Sequence, residues 1–157
     1  MVNGQTGFSL IELMITLLIL SITLLVGVPF TGRWVQSAQV QETRSLLLQG
    51  YGQAAALALR NPLGVTGSQA AASLKLVTDD EGDSTLLVCE GPSGDAECAI
   101  GGSRAHWQTE LTRATGVAIR LNGAETGAAS LDNTGLPITG TAFLVTKGEA
   151  KESGTLR

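Results

Sequence analysis

Gly7-Phe8-Ser9-Leu10-Ile11-Glu12-Leu13 opens an apolar run that reaches Phe30 with Glu12 as its only charged residue. From Phe8 the run holds about 23 residues, which at ~1.5 Å each make roughly 34 Å of helix, enough to cross a hydrocarbon core of ~30 Å with some tilt. Isolated in lipid, a carboxylate in such a helix costs ~3 kcal/mol on insertion scales unless it stays neutral, lies near the interface or finds a cation. Glu12 sits close to Phe8, so a cut before Phe8 would free an α-amine of the right sign at the right depth, on this chain or a neighbouring one.

These residues resemble the processing site of type IV prepilins and pseudopilins. The resemblance covers Gly7 to Pro29 and rests on the Gly-Phe junction, the offset of Glu12, the uninterrupted apolar run and the late Pro29 occurring together. It implies cleavage by prepilin peptidase between Gly7 and Phe8, N-methylation of Phe8, and pairing of Glu12 with the Phe8 amine of a neighbouring pilin or pseudopilin subunit during assembly. An ordinary signal peptide or signal anchor is the alternative. That would want a basic n-region, a core of ~7 to 15 apolar residues and a small-residue cleavage site after it, whereas this run is longer and carries Glu12. The leader Met1–Gly7 departs from the family in having no Lys or Arg, while Arg33 follows the run. The positive-inside rule alone therefore leaves the orientation undecided or even reversed; the resemblance and the two cysteines set the leader inside and the remainder outside the inner membrane.

Of the 157 residues, about 30 go to leader and membrane segment, leaving room for one small domain of roughly 100 residues. Ten basic and 14 acidic residues give a net charge of -4. The stretch from Asp79 to Glu97 holds acids and no basic residue, a surface that repels phosphate. Aromatics are only 4% of the chain, so its core must be built from Leu, Val, Ile and Ala; 20 glycines indicate many turns and short strands rather than a helical bundle.

Pro29 removes a backbone donor near the end of the run and is expected to kink or loosen the helix. Beyond it Val40, Thr43, Leu47, Tyr51, Ala54 and Ala58 recur at three or four residues, with Gln36, Gln39, Glu42 and Gln53 off that stripe. One long interrupted helix is expected from Phe8 to Leu59, weakened at Gly32, Gly50 and Gly52 and ended by Asn61-Pro62; a separate helix after a loop at Pro29–Gly32 is the alternative. Ser73–Thr78 and Ser84–Cys89 alternate as strands around the acidic turn Asp79-Asp80-Glu81-Gly82-Asp83, predicting a β-hairpin. Gly116–Leu121 and Thr141–Thr146 are two further strands, Leu136-Pro137-Ile138 a weaker one, and Trp107 begins or flanks another. The fold class is α+β, a long N-terminal helix packed on an antiparallel β head. The expected division is 1–7 leader, 8–30 transmembrane and assembly helix, 31–61 amphipathic continuation and 62–157 periplasmic β-rich head.

The order of a helix, a hairpin ending in Leu87-Val88-Cys89, a second Cys, a Trp and Gly-rich strands resembles the GspH/FimT group of minor pilins and pseudopilins, including FimU. That resemblance implies a soluble head of β-sheet packed on the second half of the helix. Cys89 and Cys98, in a domain outside the inner membrane, read as a disulfide; a metal pair and free thiols are the alternatives, although the lone His106 leaves a four-ligand zinc site incomplete. The acidic turn at Asp79–Asp83 lacks the alternating acids and distant Glu of a calcium loop, so it reads as a solvated hairpin. His106 beside Trp107 reads as a surface or packing residue. With no nucleophile-elbow, Walker or zincin spacing, no enzyme activity and no cofactor are expected. DNA-uptake pilins of the FimT kind carry a basic Gly-Arg-x-Arg ending, whereas this chain finishes Gly154-Thr155-Leu156-Arg157, and Glu149 and Glu152 offset Lys147 and Lys151. Nucleic acid is thus not expected as a partner. The expected function is a minor type IV pilin in a tip or priming complex; the alternatives are a pseudopilin of type II secretion and a DNA-uptake pilin.

Overall fold

The computed structural model describes residues 9–80, 82–111 and 116–157, with backbone alone at 26–31 within the helix. Element α1 spans Leu10–Arg60, and seven strands follow: β1 Ala72–Thr78, β2 Ser84–Glu90, β3 Ala105–Leu111, β4 Ala118–Leu121, β5 Gly127–Leu131, β6 Thr141–Lys147 and β7 Ala150–Leu156. The chain divides into two compact units, Met1–Val35 and Gln36–Arg157. The second contains the later turns of α1 and all seven strands.

The helix is continuous through Gly32, Gly50 and Gly52, so the alternative of a break at 29–32 is not taken up. Whether Pro29 kinks it lies outside the described residues. Its end is built by Asn61, whose backbone turns left-handed at φ 44° while its N–H reaches the carbonyls of Leu57 (3.2 Å) and Ala58 (3.1 Å). The Asn61 side chain then clamps Val65 from both sides, Nδ2 donating to its carbonyl at 2.8 Å and Oδ1 accepting from its N–H at 2.9 Å. An asparagine tolerates the left-handed cap, and Pro62 cannot continue the helix. Arg60 in the last turn complements the negative end of the helix dipole.

Two antiparallel sheets form the head. One has the strand order β3-β2-β1-β5 and the other β4-β6-β7. The expected hairpin is β1–β2, in a register that sets Leu76 against Leu86 and Leu74 against Val88. Those four leucines and valines face α1, where Val40, Leu47, Ala54 and Ala58 are buried at the expected spacing. Ile119, Leu121, Phe143, Val145 and Leu156 bring the second sheet into the same core. On the opposite face of the first sheet Leu87, Cys89 and Cys98 form a small separate cluster. Strand pleating puts alternate residues on opposite faces, which is why one hairpin serves two cores.

The buried face of the helix differs from its sequence reading at Leu57, which is buried off the expected stripe, and at Gly50 and Tyr51. Gly50 is buried while Tyr51 is only half-buried. A Cβ at Gly50 would lie 2.9 Å from Trp107 Cζ3 and 3.0 Å from Leu74 Cδ1, so the missing side chain lets β1 and β3 approach the helix backbone. Strands β5 and β7 were not anticipated. Gly127-Ala-Ala-Ser-Leu131 has too little bulk to read as a strand, and Ala150–Leu156 is a polar edge strand. Leu136-Pro137-Ile138 is not a strand but makes a single bridge from Pro137 to Leu131; its proline removes the donor a ladder needs. The turn before β5 is set by Asn122 and Gly123, both with positive φ (51° and 82°), as a two-residue reversal requires.

Candidate functional site

The functional candidate is the first half of α1. Helical hydrogen bonding begins with the Leu13 N–H on the Ser9 carbonyl at 3.2 Å, and Glu12 stands in the first turn. A carboxylate there complements the positive end of the helix dipole. Every described side chain from Ser9 to Leu25 is exposed, with Leu10 and Leu25 each at 78%. A helix that is apolar around its whole circumference has no core-facing side of its own, and its surroundings must supply one.

Three hydroxyls within this segment are neutralised locally. Thr16 Oγ1 donates to the Leu13 carbonyl (2.9 Å), Ser21 Oγ to Leu17 (2.7 Å), and Thr23 Oγ1 lies within reach of Ile19 (2.8 Å) and Leu20 (2.9 Å). Hydroxyls folded back onto the i−3 or i−4 carbonyl need no water, and so can enter lipid or a packed helix bundle. Glu12 has no such internal partner among the described residues. It is the charged group of the segment, and it calls for a partner from elsewhere.

Gly7 and Phe8, the expected cleavage pair, lie outside the described residues. Among the described residues no helical stretch is long and apolar enough to cross a membrane. The expected span runs from Phe8 to Phe30, and the described side chains cover it only from Ser9 to Leu25.

The other sequence candidates are structural. Cys89 and Cys98 form a disulfide with 5.6 Å between their Cα atoms. The bridge pins the 90–98 loop onto the outer face of β1–β2, where Lys75 Nζ donates to the Cys98 carbonyl at 2.8 Å. Arg104 secures the same loop through Asp95 (2.6 Å) and Glu97 (2.9 Å). Asp79 closes the acidic hairpin turn by accepting the Asp83 N–H at 2.8 Å. Among the described residues no group of His, Cys, Asp or Glu is placed to hold a metal ion. His106 Nε2 lies 2.5 Å from Glu90 Oε1, a surface pair between β3 and β2. At the C-terminal end Lys147 is tied to Gln39 of α1, and Lys151 and Glu152 alternate along β7.

Sequence reading missed Asp132. Its Oδ1 accepts from the Thr134 N–H (2.8 Å), the Thr134 hydroxyl (2.6 Å) and the Leu136 N–H (3.2 Å). The Thr134 hydroxyl and the two backbone donors hold its carboxyl below the usual carboxylate range, against a small opposing effect of desolvation. Asp-Asn-Thr-Gly was the available signal, a run of turn-forming residues with an acceptor at its head.

Residues 2–28 match the family described as the prokaryotic N-terminal methylation motif. No curated protein and no solved structure matches the chain. The matched segment holds the Gly7-Phe8 junction, Glu12 and the apolar first half of α1. Joined to a long helix packed on antiparallel sheet, it makes this a chain like the type IV pilins and pseudopilins, which are structural proteins rather than enzymes.

Proposed function

We propose that the chain is a minor type IV pilin. It inserts in the inner membrane through residues 8–30, is cut by prepilin peptidase between Gly7 and Phe8, is methylated on Phe8, and joins a filament at its tip or in its priming complex. The head then stands on the periplasmic side, an oxidising location suited to the Cys89–Cys98 bridge.

The observation that carries this reading is that Glu12 has no partner among the described residues. It is the only charge among the described residues 9–25, an exposed apolar stretch in which Thr16, Ser21 and Thr23 are already bonded to the helix backbone. When such helices pack together, a carboxylate without a cation is strongly unfavourable, by about 3–5 kcal/mol for a broken buried pair. The free amine of a processed neighbour supplies that cation. Glu12 lies about one turn beyond Phe8, so pairing across subunits confines their axial offset to within about 5.4 Å.

The test is Glu12→Ala in the full chain, produced with its assembly machinery. Removing the charge leaves the variant in the membrane fraction and lowers its recovery in sheared filaments by an order of magnitude or more. Incorporation at the wild-type level would refute the pairing role.

A further inference from the structure

The cavity between the last turns of α1 and the outer strand β3 is lined mainly by polar groups, and nothing in the filament reading uses it. It holds about 210 Å³. That is less than the ~300–1,000 Å³ of drug-sized pockets and leaves room for a single ring rather than a chain. From α1 come Gln53, Ala56, Leu57 and Arg60, spaced i, i+3, i+4 and i+7 and therefore on one face. Leu57 is buried and Ala56 adds only a methyl, so the chemistry of this wall belongs to Gln53 and Arg60. Neither side chain has a hydrogen-bond or ion-pair partner among the described residues.

The opposite wall is built by a break in strand register. Val88 faces Trp107 across β2 and β3, but the next pair is Cys89 with Ala105, which leaves His106 as the extra residue of a β-bulge. Strict alternation would put His106 on the face away from Trp107; with the bulge, both line the same cavity. Glu90, two residues after Val88 and on its face, engages His106 Nε2 at 2.5 Å and so orients the imidazole, whose Nδ1 has no partner among the described residues. Trp107 is fixed against the helix. A Cβ on Gly50 would lie 2.9 Å from its Cζ3 and 3.4 Å from its Cη2, so this edge of the indole is seated on the α1 backbone.

A flat, fixed indole ringed by an amide, a guanidinium and an imidazole suits a sugar, whose C–H face packs on an aromatic surface while its hydroxyls meet the planar polar groups. A peptide side chain would want an apolar recess, and Leu57 and Val88, 9% and 1% exposed, offer little surface for one. Charge narrows the class further. The Glu90 carboxylate is engaged by His106, and the helix C-terminus carries only about half a negative charge. Arg60 is therefore able to balance one carboxylate, in the two-pronged geometry a guanidinium favours. A phosphate would need clustered cations.

We propose that this cavity binds a sugar acid of the uronate class, its carboxylate on Arg60, its hydroxyls on Gln53 and His106, and its ring against Trp107. The site lies wholly within the Gln36–Arg157 unit and stands whether or not the chain enters a filament.

The test uses the full chain with Trp34→Phe, which leaves Trp107 as the sole tryptophan, in micelles of a detergent without sugar headgroups. Glucuronate should change Trp107 emission saturably in the millimolar range and should receive magnetisation from the protein in saturation-transfer NMR. Methyl glucoside should bind about tenfold more weakly, the worth of one charge-assisted hydrogen bond. Arg60→Gln should make the two sugars equal, and Gln53→Ala should weaken both several-fold, each substitution being at an exposed helix position. No response to glucuronate by either readout would overturn the proposal, as would glucuronate binding that Arg60→Gln leaves intact. Tighter binding of N-acetylglycine or of inorganic phosphate than of glucuronate would refute the sugar-acid class and give the cavity to a peptide carboxylate or a phosphate instead.

Discussion

Gly50 and Gly52 lie two residues apart in α1, yet the same substitution should act on them in opposite directions. In a helix interior Ala is favoured over Gly by ~1 kcal/mol. At Gly52 nothing stands within 4 Å of an added Cβ, so Gly52→Ala gains that preference almost undiminished, about 0.5–1 kcal/mol. At Gly50 the new methyl would meet the Trp107 ring at 2.9 Å and the buried Leu74 at 3.0 Å. The indole is rigid, and Leu74 is 0% exposed with no free space to enter. Overpacking of this kind costs ~1–3 kcal/mol, which cancels the propensity gain and leaves Gly50→Ala between neutral and about 2 kcal/mol destabilising. The contrast between the two variants is the overpacking itself. For a unit of this size 1 kcal/mol moves the melting temperature by about 3–5 °C, so Gly50→Ala should melt at least several degrees below Gly52→Ala. Near-ultraviolet circular dichroism of the full chain in detergent micelles would follow the transition. Equal stabilisation by both substitutions would refute the close approach of helix and sheet.

Two further outcomes follow from the head. Reducing the Cys89–Cys98 bridge, or replacing both cysteines by Ser, should lower stability by about 2.7 kcal/mol, the chain-entropy value for a loop of about ten residues; no thiol should titrate before reductant is added and two should titrate afterwards. Asp132 has its folded-state pKa depressed. Its contribution is therefore complete above the ordinary carboxylate range of about 4 and is lost as pH falls through the lower folded value. Amide exchange at Thr134 and Leu136, compared with that of the β1–β2 ladder, should show the 132–138 turn loosening first in acid, and Asp132→Asn should remove that pH dependence.

The parts of the molecule legible in the sequence were those written in periodicity or in strong punctuation. The stripe Val40, Leu47, Ala54 and Ala58 gave the packed helix, Asn61-Pro62 its end, and the alternation on either side of Asp79–Asp83 gave the β1–β2 hairpin. The remainder depended on what surrounds a residue. Gly50 reads as a helix-weakening residue until Trp107 and Leu74 are seen against it. Strand β5 is made of small residues because it lies between β1 and the 132–138 turn, where the core needs Ala129 and Leu131 but little bulk between them. Strand β7 is an edge, and its Lys151 and Glu152 are what an edge tolerates and a propensity reading penalises. At the N-terminal segment the legibility is reversed. The chemistry of Gly7-Phe8 and Glu12 is local, so it reads directly from the chain.

The most direct test is the N-terminus itself. The chain, produced with and without prepilin peptidase and recovered from membranes, can be measured by intact mass and N-terminal fragmentation. The expected product in the presence of the peptidase begins at Phe8, lacks Met1–Gly7 and carries one methyl group on its α-amine; Gly7→Leu retains the whole leader. A chain that keeps its leader when the peptidase is active, or that is cut beyond Phe30 and so loses the segment holding Glu12, would contradict the central claim.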